Sequence, residues 1–297
     1  MVSPLIVSLK KRKNSCGSKA CILSPAKINL YLNILGKYPG GYHCIESIVE
    51  RISLNDRIKI TVKSDPEIKI FSNDKSLQTK DNLIVKAAEL IKKHYKIPFG
   101  LSIKLEKNIP VGSGLGGGSS NAASTLIVLN TLFDLKLDKS ELYKLGARLG
   151  SDVNFFISES KFALLKGRGE KLMPLKIDKK FSHFIIWPKK SISTKEVYDR
   201  QKAKLTKFFN SVKILQYALA EGDIFLIKKN IFNVLEKEAC NICRELKLAK
   251  QYLSNKGIFT KVTGSGSALY TIGASSSLRI FKKGLPSSWT VFKAQTF

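Results

Sequence analysis

A chain of 297 residues with 43% hydrophobic and 25% charged side chains has ordinary globular content and enough length for two domains. No apolar run reaches the ~18–20 residues of a membrane-spanning helix, so the sequence reads as a soluble protein. Its formal net charge of +28 is the departure from the ordinary.

Such charge has two readings. A polyanion partner such as nucleic acid rewards clustered Lys and Arg through counterion release. A compositional bias toward lysine gives a basic but merely soluble surface. The lysines are scattered, often as pairs such as Lys92-Lys93, Lys179-Lys180 and Lys228-Lys229, with no basic run interleaved with aromatics. The second reading is therefore preferred, and no nucleic-acid partner is expected.

In chain order, "MVSPLIVSLKKRKNSCGSKA" is polar and basic, and residues 1–21 are expected to form a disordered extension. Its apolar piece, Pro4–Leu9, is too short and too early for a secretory signal. The lack of acidic residues leaves a targeting segment as the alternative. "INLYLNIL" and "DRIKITVK" read as strands, and "DNLIVKAAELIKKHY" as a helix with Leu83, Ala87, Leu90 and Ile91 along one side. "LSIKLEK" alternates as a half-buried strand does, and Pro110 breaks it. A helical stripe follows from Ser119 to Phe133 (Ala122, Ala123, Leu126, Ile127, Leu129, Phe133), capped by Ser119 or Ser120. Asp138 and Glu141 stand at capping-box spacing.

Beyond Leu175 the expected order is strand (Phe181–Trp187), helices between about Thr194 and Leu253, strand (Phe259–Val262) and strand (Ala268–Ile272). A helix (Ser276–Lys283) and a strand (Trp289–Gln295) follow. With the middle helices as one layer this is β-α-β-β-α-β, the split βαβ pattern. The expected domains are 22–178 and 179–297, in an α+β chain.

Five cysteines (Cys16, Cys21, Cys44, Cys240, Cys243), odd in number and without a secretory signal, argue for free thiols in a reducing compartment. Cys240 and Cys243 spell C-x-x-C, but "LEKEACNICRELKLAKQYL" reads as one helix. The two thiols then share a face with Leu246 as small core hydrophobes.

The stretch with most chemistry is "IPVGSGLGGGSSNAA". Its glycines satisfy G-x-G-x-x-G at Gly112, Gly114 and Gly117, a weak match alone. A dinucleotide fold also wants an acidic residue ending a second strand; Asp134 directly follows the helix instead. A Walker loop wants Lys-Ser/Thr after the glycines and finds none. Three successive glycines, Gly116–Gly118, leave backbone N–H groups open to an anion, and the helix beyond adds its own unpaired N–H groups. Phosphate binding is the reading, with a tight turn as the alternative.

These residues resemble the phosphate loop of the GHMP kinases, small-molecule kinases unrelated to P-loop enzymes. "SPAKINLYLNILGKYPGGYH", "DNLIVKAA", "LGSDVNFFI", "GRGEKL" and "KVTGSGSALY" extend the resemblance over nearly everything after residue 22. They are most similar to the branch acting on cytidine-diphosphate methylerythritol, in non-mevalonate isoprenoid precursor synthesis. The resemblance implies a two-domain GHMP kinase fold. Its amino-terminal mixed α/β domain carries a left-handed phosphate loop, and its carboxy-terminal domain is of split βαβ, ferredoxin-like type. ATP is the implied co-substrate, with Mg²⁺ accompanying it; no carboxylate pair announces a protein-made metal site. The enzyme is expected to be cytoplasmic, or in a plastid-type organelle if the extension is a targeting segment. It is expected as a monomer or weak homodimer without membrane partners.

The same resemblance implies the roles. Pro110-Val111-Gly112-Ser113-Gly114-Leu115-Gly116-Gly117-Gly118-Ser119-Ser120 holds ATP phosphates, with Asn82 near the adenine. Asp152 is the base and Lys27 the charge organiser. Asn29, Tyr42, His43, Tyr198, Gly264 and Gly266 serve the substrate; Tyr42 and Tyr198 cover the cytosine faces, and His43 reads its edge. Read without it, Asp152 is a helix cap, Lys27 a surface charge, Asn29 a bulge residue, Tyr42 a turn residue and Tyr198 helix core. The family pattern has proline after Asp-Val, where this chain has Asn154.

Overall fold

The computed structural model describes residues 3–12, 15–40, 42–201, 211–273 and 281–297. They form two compact units whose segments interleave along the chain. The first comprises Met1–Ala26, Asn55–Ile109 and Gly117–Glu159; the second comprises Lys27–Leu54, Pro110–Gly116 and Ser160–Phe297. The expected single boundary at 178 is not where these units divide. The reason is the length of two strands, β2 (Lys19–Lys37) and β3 (His43–Lys63), each of which contributes residues to both units.

In the first unit, β1 (Ile6–Lys10), the start of β2 and the end of β3 are joined by β4 (Ile68–Ser72) and β5 (Gly100–Glu106) in the order β1-β2-β3-β5-β4. Ile6–Lys10 and Lys19–Cys21, within the expected disordered extension, are thus paired strand. Lys10 pairs with Lys19 and Ile6 with Ile22, which satisfies the β2 edge. β3 and β5 alternate: Ile58, Ile60, Val62, Leu101, Ile103 and Leu105 are buried, while Arg57, Lys59, Lys63, Lys104 and Glu106 are exposed.

Four helices complete the unit. α1 (Leu83–His94) starts at Asn82, whose side chain accepts from the Ile84 N–H, and ends in Lys92, Lys93 and His94, which suit the negative helix end. α2 (Gly117–Leu132) packs against α1. It starts two residues before the expected serine cap, so Ser119 and Ser120 lie in its first turn. Ser120–Leu129 are buried without a break, so it is a central helix rather than a striped surface one. α3 (Lys139–Ala147) carries the expected capping box of Asp138 and Glu141, and α4 (Val153–Ser158) follows.

In the second unit, β6 (Phe162–Gly167) pairs with the start of β3, β7 (Lys171–Leu175) with β6, and β9 (Phe232–Asn233) with Tyr31 and Leu32 of β2. A second sheet holds β8 (Ser182–Trp187), β10 (Lys261–Val262), β11 (Leu269–Tyr270) and β12 (Thr290–Gln295) in the order β10-β11-β8-β12. All its neighbours are antiparallel, the strand order of a split βαβ motif. Its intervening helices are α5 (Thr194–Arg200), α6 (Ser211–Glu221), α7 (Ile224–Asn230), α8 (Glu236–Ile242) and α9 (Arg244–Asn255). The expected helix at Ser276–Lys283 falls largely on residues 274–280, outside the described ones.

The helix expected to run through both Cys240 and Cys243 is two. Cys243 is extended (φ −113°, ψ 102°); it ends α8 and caps α9, its sulfur 3.4 Å from the Leu246 N–H. Its side chain still lies in the core with Leu246, Phe184, Ile186 and Val262, and Cys240 packs against that core.

Candidate active site

The glycine loop is built from both of its ends, and each unit can be taken alone. In the second unit, Pro110–Gly116 lies between two other loops. Gly112 O accepts from the Ile192 N–H at 3.0 Å, and Ser113 O from the Ala268 N–H at 3.0 Å. Gly112, Gly114 and Gly116 all have positive φ (63°, 79° and 73°), the left-handed conformation expected of the loop. At Gly114 space matters as much as conformation. A Cβ there would meet Thr263 O at 2.2 Å and Gly266 N at 3.0 Å, so the two glycine turns lie back to back.

Lys27 and Asn29 reach the same place. Both side chains are buried, and the Lys27 ammonium donates to Asn29 Oδ1 at 2.5 Å. The Asn29 amide donates to Ser47 Oγ at 2.9 Å, and its backbone N–H to Thr263 Oγ1 at 3.0 Å. The Lys27 N–H donates to Leu115 O at 2.9 Å, which ties β2 to the loop. A Cβ at Gly264 would lie 3.2 Å from Asn29 Oδ1 and from Gly114 O, and 3.4 Å from Lys27 Nζ. A buried cation thus sits beside backbone bared by glycine. Lys27 is not a surface charge, and Asn29 lies in a regular strand with its polar groups engaged.

His43 and Tyr198 meet, their ring centroids 5.1 Å apart at 40°. His43 Nε2 is buried and has no hydrogen-bond partner among the described residues. Burial first, and then the Lys37 charge, push the His43 pKa down against the Asp199 charge, so the ring is neutral at pH 7. A neutral imidazole offers one donor and one acceptor, which suits reading a base edge. Tyr42 is 61% exposed, with the Arg168 guanidinium 4.8 Å from its ring centroid.

The first unit carries the other end of the loop and Asp152. Asp152 precedes α4 in helical rather than extended conformation (φ −85°, ψ −8°), and its side chain makes no capping hydrogen bond. Its carboxylate thus does not serve as the N-cap that the sequence read alone would assign it. Asn154, in place of the family proline, is buried with Oδ1 unpartnered among the described residues. That oxygen would lie 2.4 Å from a Cβ on Gly146, so a glycine is needed beneath it. Asn82, expected near adenine, uses its amide for the α1 cap and for a 2.8 Å bond to Leu77 O.

A network not foreseen from sequence fixes both loop ends in this unit. Asp56, wholly buried, accepts from Lys107 Nζ (2.7 Å), the N–H groups of Asn108 (2.7 Å) and Ile109 (2.8 Å), and Asn121 Nδ2 (2.9 Å). Asn121 also donates to Ser24 Oγ, which donates to Ser120 Oγ at 2.8 Å. One carboxylate therefore joins the residues entering the loop to the first turns of the helix leaving it. The sequence carried little signal for it, because Asp56 lies between Asn55 and Arg57 and Asn121 follows Ser119-Ser120, polar neighbours that read as surface. Among the described residues no three His, Cys, Asp or Glu side chains gather as metal ligands.

Residues 82–160 match the family model for the GHMP kinases N terminal domain. The chain is 41% identical over 245 residues to the 4-diphosphocytidyl-2-C-methyl-D-erythritol kinase of Prochlorococcus marinus, covering 81% of this chain and 73% of that one. It is 35% identical over 272 residues to the enzyme of that name from Polynucleobacter asymbioticus, covering 90% and 89%. A crystal structure of 4-(cytidine 5'-diphospho)-2C-methyl-D-erythritol kinase superposes with a TM-score of 0.75 at 29% identity, over 93% of this chain and 98% of that one. L. major mevalonate kinase in complex with R-mevalonate shares the fold, with a TM-score of 0.71 at 18% identity over 100% and 98% of the two chains.

Proposed function

The chain belongs to the 4-diphosphocytidyl-2-C-methyl-D-erythritol kinase family, within the GHMP kinases, and we propose from that membership how its residues carry the reaction. The reaction is ATP-dependent phosphorylation of the 2-hydroxyl of 4-diphosphocytidyl-2-C-methyl-D-erythritol, a step of non-mevalonate isoprenoid precursor synthesis. A bond forms between the hydroxyl oxygen and the γ-phosphorus of ATP as the β–γ bridge breaks, and ADP leaves. Little covalent chemistry falls to the protein, so its work is positioning, charge stabilisation and removal of one proton.

The observation that carries the reading is the buried Lys27–Asn29 pair against the bared turns at Gly114 and Gly264. A fixed ammonium beside open backbone is what transferring phosphate oxygens require. The left-handed glycines and the first turn of α2 supply N–H groups to the ATP phosphates. Asp152 takes the hydroxyl proton, the role that its match to the family motif implies. His43 reads the cytosine edge with the nitrogen that has no partner among the described residues, and Tyr198, whose ring packs against His43, flanks the base. The exposed Tyr42 covers the other face. For Asn82 a backbone contact to the adenine is proposed, because its side chain is engaged in the helix cap.

Mg²⁺ is assigned to the nucleotide phosphates and water rather than to a protein cage, since the described residues offer no cluster of ligands for one. No helix of the described residues is long and apolar enough to cross a membrane, and a cytoplasmic location is proposed. A panel of acceptors in a coupled ADP-release assay tests the substrate. Turnover with the cytidyl substrate and none with homoserine or mevalonate is expected; preference for either of the latter overturns the assignment.

A further inference from the structure

Four of the lysines that look scattered along the sequence, together with Arg12, are gathered by the first unit around one pocket. It has a volume of about 540 Å³, and Arg12, Lys19, Lys59, Lys63 and Lys104 line it with no carboxylate among its lining residues. Thr61, Ser64 and Ser102 add hydroxyls to the same walls. The volume lies within the range of small-molecule sites, about 300–1,000 Å³.

Chance accumulation in a basic chain does not account for the arrangement. Lys59 and Lys104 stand directly opposite each other across β3 and β5, a like-charge placement that destabilises a sheet. Two residues along the same strands, Arg57 faces Glu106. On β4, Lys69 bridges Glu67 at 3.0 Å and reaches Asp65 at 4.0 Å. Arg57 and Lys69 thus have acids beside them, whereas none of the five pocket cations has an ion pair among the described residues.

One wall is also preset. The turn before β2 is tied to β3 by Gly17 N–H to Val62 O and Val62 N–H to Ser18 O, both 2.9 Å. Arg12 donates its backbone N–H to the buried Ser18 Oγ at 2.8 Å. Its guanidinium lies over Gly17, which has φ of 77°; a Cβ there would come 3.1 Å from Arg12 Nη1. An arginine held in this way presents a planar fork suited to phosphate.

We propose that this pocket is a second anion site, which binds a small polyphosphate anion: two or more linked phosphate groups, free or at the end of a phosphorylated metabolite. Its lining shares no residue with the glycine loop, so occupancy does not compete with nucleotide there. Bound anion supplies negative charge that the pocket lining lacks, and the folded state gains stability with the logarithm of anion concentration above Kd.

Titration calorimetry of the full chain with inorganic tripolyphosphate, at physiological salt, tests the site. Lys59→Ala/Lys104→Ala is compared with Lys75→Ala/Lys80→Ala, which removes equal charge from exposed positions outside the pocket. The pocket variant loses one binding event or weakens it at least tenfold, whereas the control binds as wild type does. ADP-release turnover stays within twofold in both. A second variant, Lys104→Glu, abolishes the binding event and raises Tm in the anion-free protein at low salt, because it faces Lys59. A nucleoside diphosphate as a further probe separates the sources: equal affinity means the phosphates alone are read, and tighter binding means a phosphorylated metabolite. The proposal is overturned if the two double variants bind alike. It is equally overturned if a single-stranded oligonucleotide binds the patch more tightly than tripolyphosphate, which would make the partner a nucleic acid.

Discussion

Removing the Asp56 carboxylate is the most demanding test of how the phosphate loop is held. Asp56→Ala leaves the Lys107 ammonium, whose side chain is 7% exposed, without its counter-charge. It also strips an acceptor from two backbone N–H groups and from the Asn121 amide. Breaking a buried ion pair from one side costs about 3–5 kcal/mol. The orphaned donors bring the expected loss toward the top of that range, because each neutral one costs about 1–3 kcal/mol when left buried. Lys107→Met costs less, about 2 kcal/mol, since the carboxylate keeps three donors. The double variant costs less than the sum of the singles by at least about 2 kcal/mol, as contacting residues couple.

Urea denaturation followed by far-ultraviolet circular dichroism reads all three variants. pH supplies an internal check. Burial pushes the Lys107 pKa down, and the Asp56 charge and hydrogen bond oppose that. Without Asp56 it falls further below the unfolded value of about 10.4. The unfolded chain then binds more protons through that window, so stability of the variant rises with pH up to it. An Asp56→Ala loss under about 1 kcal/mol, or additive single effects, would refute the network as the loop's anchor.

Three further outcomes follow from other parts of the molecule. Gly114→Ala lowers stability by at least about 2 kcal/mol and raises the KM for ATP, because φ of 79° and the 2.2 Å approach to Thr263 O both oppose a side chain; a neutral effect in calorimetry would show the two turns are not packed together. His183 is wholly buried, with Nδ1 and Nε2 each 2.9 Å from an acceptor, Thr271 O and Glu50 Oε1. Burial pushes its pKa down, but the Glu50 charge, the Glu50 hydrogen bond and the Thr271 carbonyl outweigh it and hold the pKa above 6.5. That stability is fully present below about pH 6.5 and is lost as pH rises through the raised value; His183→Gln flattens the alkaline limb of a Tm-against-pH curve, and an unchanged limb contradicts the pair. Burial, aided by the Glu236 charge, pushes the Cys240 thiol up to about 11. Its alkylation at pH 8 is therefore roughly a hundredfold slower than that of an unperturbed thiol, and equal rates by mass spectrometry would rule out a core position.

Much of this was legible where the signal is local. Asp138 with Glu141 marks a helix start because a cap is made by residues within one turn. The strand order of the second sheet followed from counting elements. Short strands such as Ile68–Ser72 and Lys171–Leu175 went unread, since five residues carry too little alternation to stand out. Periodicity also failed to see the break at Cys243, because α8 and α9 both place apolar residues toward the same core. The amino-terminal strand was missed because its pairing partner, β2, supplies the order that its polar composition lacks.

At the site, glycine spacing announced the loop, and burial of Lys27 agreed with its apolar surroundings. Asp56, Lys107, Asn121 and Ser24 were invisible, since their meaning lies in contacts spanning up to 97 residues of chain. The basic pocket was hidden for the same reason: Arg12, Lys19, Lys59, Lys63 and Lys104 become neighbours only through strand pairing.

In the proposed mechanism Asp152 acts as the base for an acceptor alcohol. The direct measurement is steady-state ADP release with the cytidyl substrate, comparing wild type with Asp152→Asn. A fall in kcat of about 10²–10⁴ with the KM for ATP little changed is the predicted result. Near-normal turnover of the folded variant would contradict it.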